Sequence, residues 1–162
     1  LLPPQILLIP VFQMTGALGI YNSYWALILF HMGFQLGFGT FVLRNFMVAI
    51  PVSLFEAAVI DGASEWRIYR SIALPVTLPA LASVTILEFT WIFNDFIWAL
   101  VLVRSNALKP VTTGLATMMG QYTNDWPNII AGSVIATVPT LVVFLLLQRY
   151  FVGGLTVGAT KG

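Results

Sequence analysis

From Leu1 to Leu43 the chain contains no Asp, Glu, Lys or Arg. A helix that crosses a bilayer needs about 20 apolar residues. This run is too long for one such span and suits two, with Gly19-Ile20-Tyr21-Asn22-Ser23 as the turn between them. The remaining composition agrees. Hydrophobic residues make up 59% of the chain and charged residues 8%, whereas soluble domains carry about 25% charged residues. Mean hydropathy is +0.92. There is too little polar surface to coat a water-soluble globule, so the expected fold class is all-α, a polytopic transmembrane helix bundle.

Four spans are predicted, over 3–19, 24–47, 73–103 and 128–150, forming a single transmembrane domain across 1–162. Pro10, Gly33, Gly37 and Gly39 fall inside the first two. Bilayers tolerate such breakers where neighbouring helices satisfy the freed backbone groups, which implies a packed bundle. The chain opens Leu1-Leu2-Pro3-Pro4, without an initiator Met or a basic segment ahead of an apolar core, so this is not a signal peptide. The expectation is a sequence that begins inside a longer protein.

Between Glu56 and Pro79 lies a polar island, EAAVIDGASEWRIYRSIALPVTLP. Glu56, Asp61, Glu65 and Arg67 all fall between Glu56 and Arg67, and Arg70 lies just beyond that stretch. Flanked by charge-free stretches, it belongs in water between spans, as a loop over 52–72. Ser53-Leu54-Phe55-Glu56 reads as a capping box, in which the Ser hydroxyl accepts from the Glu56 amide and the carboxylate reaches back. A short helix is predicted from about 54 to 61. Gly62 permits the left-handed conformation that closes a helix. Ser64 is placed to cap a second short helix, with Glu65 in its first turn and Arg67 and Arg70 later, as the helix dipole favours. The island therefore reads as helix, glycine corner, helix.

Orientation follows from Lys and Arg across the loops. Four spans put Arg44, Arg67, Arg70, Arg149 and Lys161 on one side and only Arg104 and Lys109 on the other. The island and the C-terminus are expected in the cytoplasm.

Several chemistries are disfavoured. No basic run points to nucleic acid. Cysteine is absent, which excludes disulfides and thiolate metal sites, and His with clustered carboxylates is too sparse for a metal ligand set. The single His31 lies in an apolar helix and reads as a packed or hydrogen-bonded residue, not a base or ligand. No Ser–His–acid set converges in sequence, so no catalytic residue is assigned. Gly153 to Gly158 matches half of a phosphate-binding loop. Ala159-Thr160 then stands where Lys and Ser or Thr are needed, and no strand precedes it. The Gly-rich end reads instead as a flexible cytoplasmic tail. No cofactor is expected.

Glu88 and Asp95 stand seven residues apart in the third span, nearly on one helical face, with Asn94 adjoining. Carboxylates are costly in hydrocarbon, so both should face the protein interior. Two readings stay open: a solute pathway or gate, or interhelical packing with Asp95 near the outer interface. Trp25, Trp91, Trp98 and Trp126 serve either as interfacial belts or as stacking surfaces for sugar rings.

At the island the chain resembles the inner-membrane permease subunits of ABC importers. Glu56-Ala57-Ala58, Asp61-Gly62-Ala63 and Ile72-Ala73-Leu74-Pro75, followed by Pro79, match that family's loop at its spacing. Phe93-Asn94-Asp95-Phe96 and the ending Gln148-Arg149-Tyr150-Phe151…Gly154-Leu155-Thr156…Gly158-Ala159…Lys161-Gly162 resemble its carbohydrate-uptake branch, specifically the second permease subunit of maltose-type systems. One departure is Phe93-Asn94, where the family often has Trp-Asn. The resemblance covers essentially the whole chain and implies further spans ahead of Leu1. It implies a cell inner membrane location in a bacterium or archaeon, with a lipid bilayer, a second permease subunit, two ATPase subunits and an extracytoplasmic solute-binding protein as partners. Glu56, Ala57, Ala58, Asp61, Gly62, Ala63, Ile72, Leu74 and Pro75 would then couple to the ATPase, and Glu88, Asn94 and Asp95 would line a pathway. ATP hydrolysis would lie on the separate subunit. The alternatives are a permease for a non-sugar solute and a noncatalytic membrane scaffold that recruits a cytoplasmic protein.

Overall fold

The computed structural model describes the backbone of residues 3–119 and 125–159, and side chains as far as Arg149 outside 120–124. Its regular elements are all helical: α1 (Leu8–Ala17), α2 (Tyr24–Val48), α3 (Val52–Ile60), α4 (Glu65–Ile68), α5 (Leu74–Phe93), α6 (Ile97–Leu102), α7 (Val111–Thr117) and α8 (Trp126–Ala159). Among the described residues, three stretches are long and apolar enough to cross a membrane: Tyr24–Val48, Glu65–Phe93 and Trp126–Arg149. The segment predicted over 3–19 is a 3-10 turn, Pro4–Leu7, followed by the ten residues of α1, which is shorter than a full span.

The chain divides into two compact units, one of residues 1–35 and 89–142, the other of 36–88 and 143–162. The first holds the main apolar cluster, in which Val11, Ala26 and Leu27 pack with Trp98, Ala99, Leu102 and Val103. Phe30 lies over Trp98 with ring centroids 3.7 Å apart and planes inclined by 29°. Trp98 is only 6% exposed, so it forms neither a belt nor a sugar platform. Trp25, Trp91 and Trp126 are exposed in the chain.

Two helices end in the same way. After α1, Gly19 has φ +68°, its N–H donates to the Gly16 carbonyl, and the Ile20 N–H donates to the Thr15 carbonyl. After α3, Gly62 has φ +72°, with Gly62 N–H donating to Val59 and Ala63 N–H to Ala58, both at 3.0 Å. This pair of bonds satisfies carbonyls that a helix end leaves open, and the left-handed residue it needs is inexpensive only as glycine.

The third predicted span, 73–103, differs in two respects. It starts earlier, because α4 runs through a π turn, Tyr69–Ala73, directly into α5. The Leu74 N–H donates to the Tyr69 carbonyl, five residues back. Pro75 explains the widened turn: it has no N–H for the Ser71 carbonyl, and its ring crowds that oxygen. The second predicted short helix is therefore the start of a long rod. The rod also stops early, at Phe93, and α6 begins only at Ile97. The stretch between the third and fourth predicted spans contains α7, and α8 continues helical through Gly153–Gly158, where a tail was expected. Gly120 to Asn124 and Thr160 to Gly162 lie outside the described residues, Lys161 among them.

Candidate functional site

The island is built by α3, the Gly62 corner and α4. Pro51 (φ −59°, ψ 127°) leads into α3, which begins at Val52, and no side chain caps it. The capping box predicted at Ser53 is thus absent: the preset proline backbone starts the helix a turn position earlier and leaves Ser53 inside it. Ser64 does cap α4, its hydroxyl oxygen accepting the Arg67 N–H at 3.4 Å, with Glu65 in the first turn and Arg67 in the last. Glu56, Ala57, Asp61 and Gly62 are exposed, while Ala58 is buried. Ala63, Ile72 and Leu74 are half-buried and Pro75 is exposed. The apolar Val52, Val59 and Ile60 also face outward, Ile60 at 85% exposure. A short helix presenting both acids and bare aliphatics has the surface of something that another protein covers.

Asp95 sits in the gap between α5 and α6, so the seven-residue spacing from Glu88 no longer places the two on one helical face. Its Oδ1 accepts the Trp98 N–H at 3.3 Å and its Oδ2 accepts the Ala99 N–H at 3.1 Å. The carboxylate therefore caps α6, where the helix dipole also favours negative charge. His31 Nε2 lies 3.5 Å from Asp95 Oδ2, both side chains being 14% exposed. Thr112 Oγ1 in α7 donates to the Asp95 carbonyl at 3.1 Å. Asn94 does not join this cluster: it is exposed and its Nδ2 donates back to the Thr90 carbonyl at 2.8 Å. His31 was read as a packed or hydrogen-bonded residue; its place as the only histidine, in the charge-free run from Leu1 to Leu43, was the one signal that a carboxylate would sit near it.

Glu88 belongs to the other unit. Its Oε1 is buried without a hydrogen-bond partner among the described residues and faces Gly39 of α2, where an added Cβ would lie 3.0 Å away. Glycine is what lets that carboxylate approach the α2 backbone. Among the described residues no group of three or more His, Asp or Glu is arranged to hold a metal ion.

Residues 1–156 match the model of a protein family described as the inner membrane component of binding-protein-dependent transport systems. The chain belongs to this family. Among relatives, the arabinooligosaccharides transport system permease protein AraQ of Halalkalibacterium halodurans is 39% identical over 162 residues, covering 100% of this chain and 57% of that protein. The osmoprotective compounds uptake permease protein GgtD of Synechocystis is 38% identical over 160 residues, covering 98% and 54%. The alpha-glucoside transport system permease protein AglG of Rhizobium meliloti is 38% identical over 166 residues, covering 99% and 44%. The crystal structure of a bacterial ABC transporter involved in the import of the acidic polysaccharide alginate contains a chain that superposes with a TM-score of 0.66. It has 27% identity and covers 88% of this chain and 55% of that one. The chain spans about half the length of the curated relatives it matches. As a family member it is a component of a membrane transport system, and its all-α fold is that of the transporter chain it superposes on.

Proposed function

We propose that this chain forms the translocating part of a permease subunit in an ATP-driven importer of sugars, working with a second permease subunit, two ATPase subunits and a solute-binding protein. The observation that carries the reading is α3: a rigid, glycine-closed helix with Glu56, Asp61 and Ile60 outward, in a chain of a binding-protein-dependent transport family. In this reading α3 seats in a cleft on a cytoplasmic ATPase, where ATP is hydrolysed. Glu56, Ala57, Ala58, Asp61, Gly62 and Ala63 form the contact, and the C-terminus lies on the same side of the bilayer.

The mechanics follow from local structure. ATP-driven approach of the ATPases displaces α3 as one piece, because its end is fixed by two backbone bonds around Gly62. The motion passes to the rod Glu65–Phe93, 29 residues long, or about 40 Å at the helical rise of 1.5 Å per residue. Ile72, Leu74 and Pro75 lie at or beside its π turn, the point at which such a rod can rotate. Asp95 and Glu88 supply acceptors for hydroxyl groups along the path, with Asn94 next to Asp95.

The names of AraQ and AglG support a carbohydrate. The name of GgtD supports a second reading, uptake of an osmoprotective solute. The test is uptake into liposomes holding the full-length subunit with its permease partner, ATPases and binding protein. ATP-dependent entry of labelled oligosaccharides or α-glucosides supports the first reading. Entry of small osmoprotectants alone supports the second, and no ATP-dependent entry of either overturns both.

A further inference from the structure

The charge-free run that begins at Leu1 ends at Arg44, in the last turns of α2. The same helix opens with Tyr24 and Trp25, exposed at 57% and 61%, residue types that settle at a membrane–water interface. At a rise of 1.5 Å per residue, Trp25 and Arg44 are roughly 29 Å apart along the axis. A bilayer's hydrocarbon core is about 30 Å thick. With Trp25 at one interface, Arg44 therefore reaches the head groups of the other. α2 ends at Val48 and α3 begins at Val52, so in the orientation proposed above that interface is the cytoplasmic one.

At that depth the surface is hollow. Thr40, Leu43, Arg44, Met47 and Val48 line an open groove of about 470 Å³, within the unit of residues 36–88 and 143–162. Steps of three and four residues keep all five on one face of α2, over roughly 12 Å of its length. Leu43, Met47 and Val48 give the groove aliphatic walls, and Thr40 adds a hydroxyl one turn deeper than Arg44. Arg44 itself is exposed, and among the described residues no carboxylate lies within ion-pair distance of it. No Asp or Glu precedes Glu56 in the sequence.

We propose that this groove binds an anionic phospholipid of the cytoplasmic leaflet, with the Arg44 guanidinium on the phosphate and the upper part of an acyl chain against the aliphatic walls. The proposal rests on the orientation that puts α3 in the cytoplasm. Charge and depth together select the occupant. A guanidinium meets two phosphate oxygens at once, and a basic pocket at the cytoplasmic end of a span suits an anionic head group. A soluble anion would use the arginine and leave the walls bare. A purely apolar helix would cover the walls and leave the arginine without a counter-charge. An amphiphile with an anionic head satisfies both, at the depth where its head and chain meet.

The experiment uses the complete transporter in phosphatidylcholine liposomes doped with phosphatidylglycerol that carries a photoreactive group near the start of one acyl chain. Mass spectrometry then reads the lipid cross-linked to the peptide that holds Thr40 to Val48. Wild type should be labelled there. Arg44→Gln should cut the label about fivefold, the change that one cation beside an anionic surface is worth, and Arg44→Lys, which keeps the charge, should recover most of it. Met47→Trp fills the groove with Arg44 in place and should lower the label as well. A wild-type peptide without label, or one labelled equally in Arg44→Gln, overturns the proposal. So does equal labelling by the matching phosphatidylcholine probe, the mark of ordinary boundary lipid. Loss of the label in millimolar inorganic phosphate overturns it in favour of a soluble anion, and cross-linking of Met47→Cys to another subunit overturns it in favour of a protein. Should Arg44→Gln fail to assemble, Met47→Trp decides alone. An impermeant maleimide that reaches Ala49→Cys only from the extracytoplasmic side overturns the orientation itself, a result distinct from whether Arg44 holds a lipid.

Discussion

His31 and Asp95 meet at 3.5 Å, Nε2 to Oδ2, tying α2 to the gap where the helix that ends at Phe93 gives way to α6. The same carboxylate accepts two α6 amides. Losing a cap of this type costs about 0.5–2 kcal/mol. Asp95→Ala is expected to lower the unfolding midpoint of the purified protein in detergent, while Asp95→Asn, which keeps a capping oxygen, recovers most of it. The effects of His31→Leu and Asp95→Ala should be less than additive, because both remove one contact. Full additivity in thermal unfolding would show that the pair is incidental.

Gly39 and Glu88 provide a tighter test of packing. A Cβ on Gly39 would lie 3.0 Å from Glu88 Oε1 and 3.7 Å from Val84 Cγ1. Overpacking of this kind costs about 1–3 kcal/mol. Gly39→Leu should therefore reduce the yield of folded protein and its thermal midpoint, and Glu88→Ala in the same chain should restore part of the loss. Gly39→Ala should be milder, since the Glu88 side chain has room to yield. If Glu88→Ala gives no rescue, the close approach does not set the cost.

Gly62→Val places a β-branched side chain at φ +72°, a conformation that costs such a residue at least about 1–2 kcal/mol. Nothing crowds a Cβ there, so the penalty is conformational and local. The protein should still accumulate in the membrane, while uptake by the assembled transporter falls and ATP hydrolysis continues. Wild-type uptake by this variant would remove Gly62 from the coupling path.

These comparisons also show what the sequence made legible. The Gly62 corner and the Ser64 cap were readable because each depends on one residue type at one place: glycine for positive φ, serine for an extended N-cap. The helical class was readable from composition and the charge-free run. The capping box failed because Pro51, two residues upstream, set the helix start before Ser53 was reached. The break after Phe93 was hidden because its cause, Asp95 capping α6 against His31, joins residues far apart in the chain. Periodicity sees Glu88 and Asp95 as one face; only the competing cap reveals that the helix has already ended.

The π turn offers the final test. Pro75 withholds the N–H that the Ser71 carbonyl would otherwise accept, and the chain answers with Leu74 bonding to Tyr69 five residues back. Pro75→Ala returns that donor. The turn is then free to close as an ordinary α-turn, which rotates α4 by roughly 100° about the axis of α5, one residue's worth of helix. Removing a proline from a helix interior relieves up to about 3 kcal/mol of strain, so the variant should unfold at a higher temperature than the parent. The same rotation swings α3 out of register with whatever it grips. Uptake per ATP hydrolysed is expected to fall even as stability rises, the usual trade when a strained element does the moving. A variant that is more stable and equally well coupled would mean that the π turn is only an accommodation to Pro75 and no joint at all.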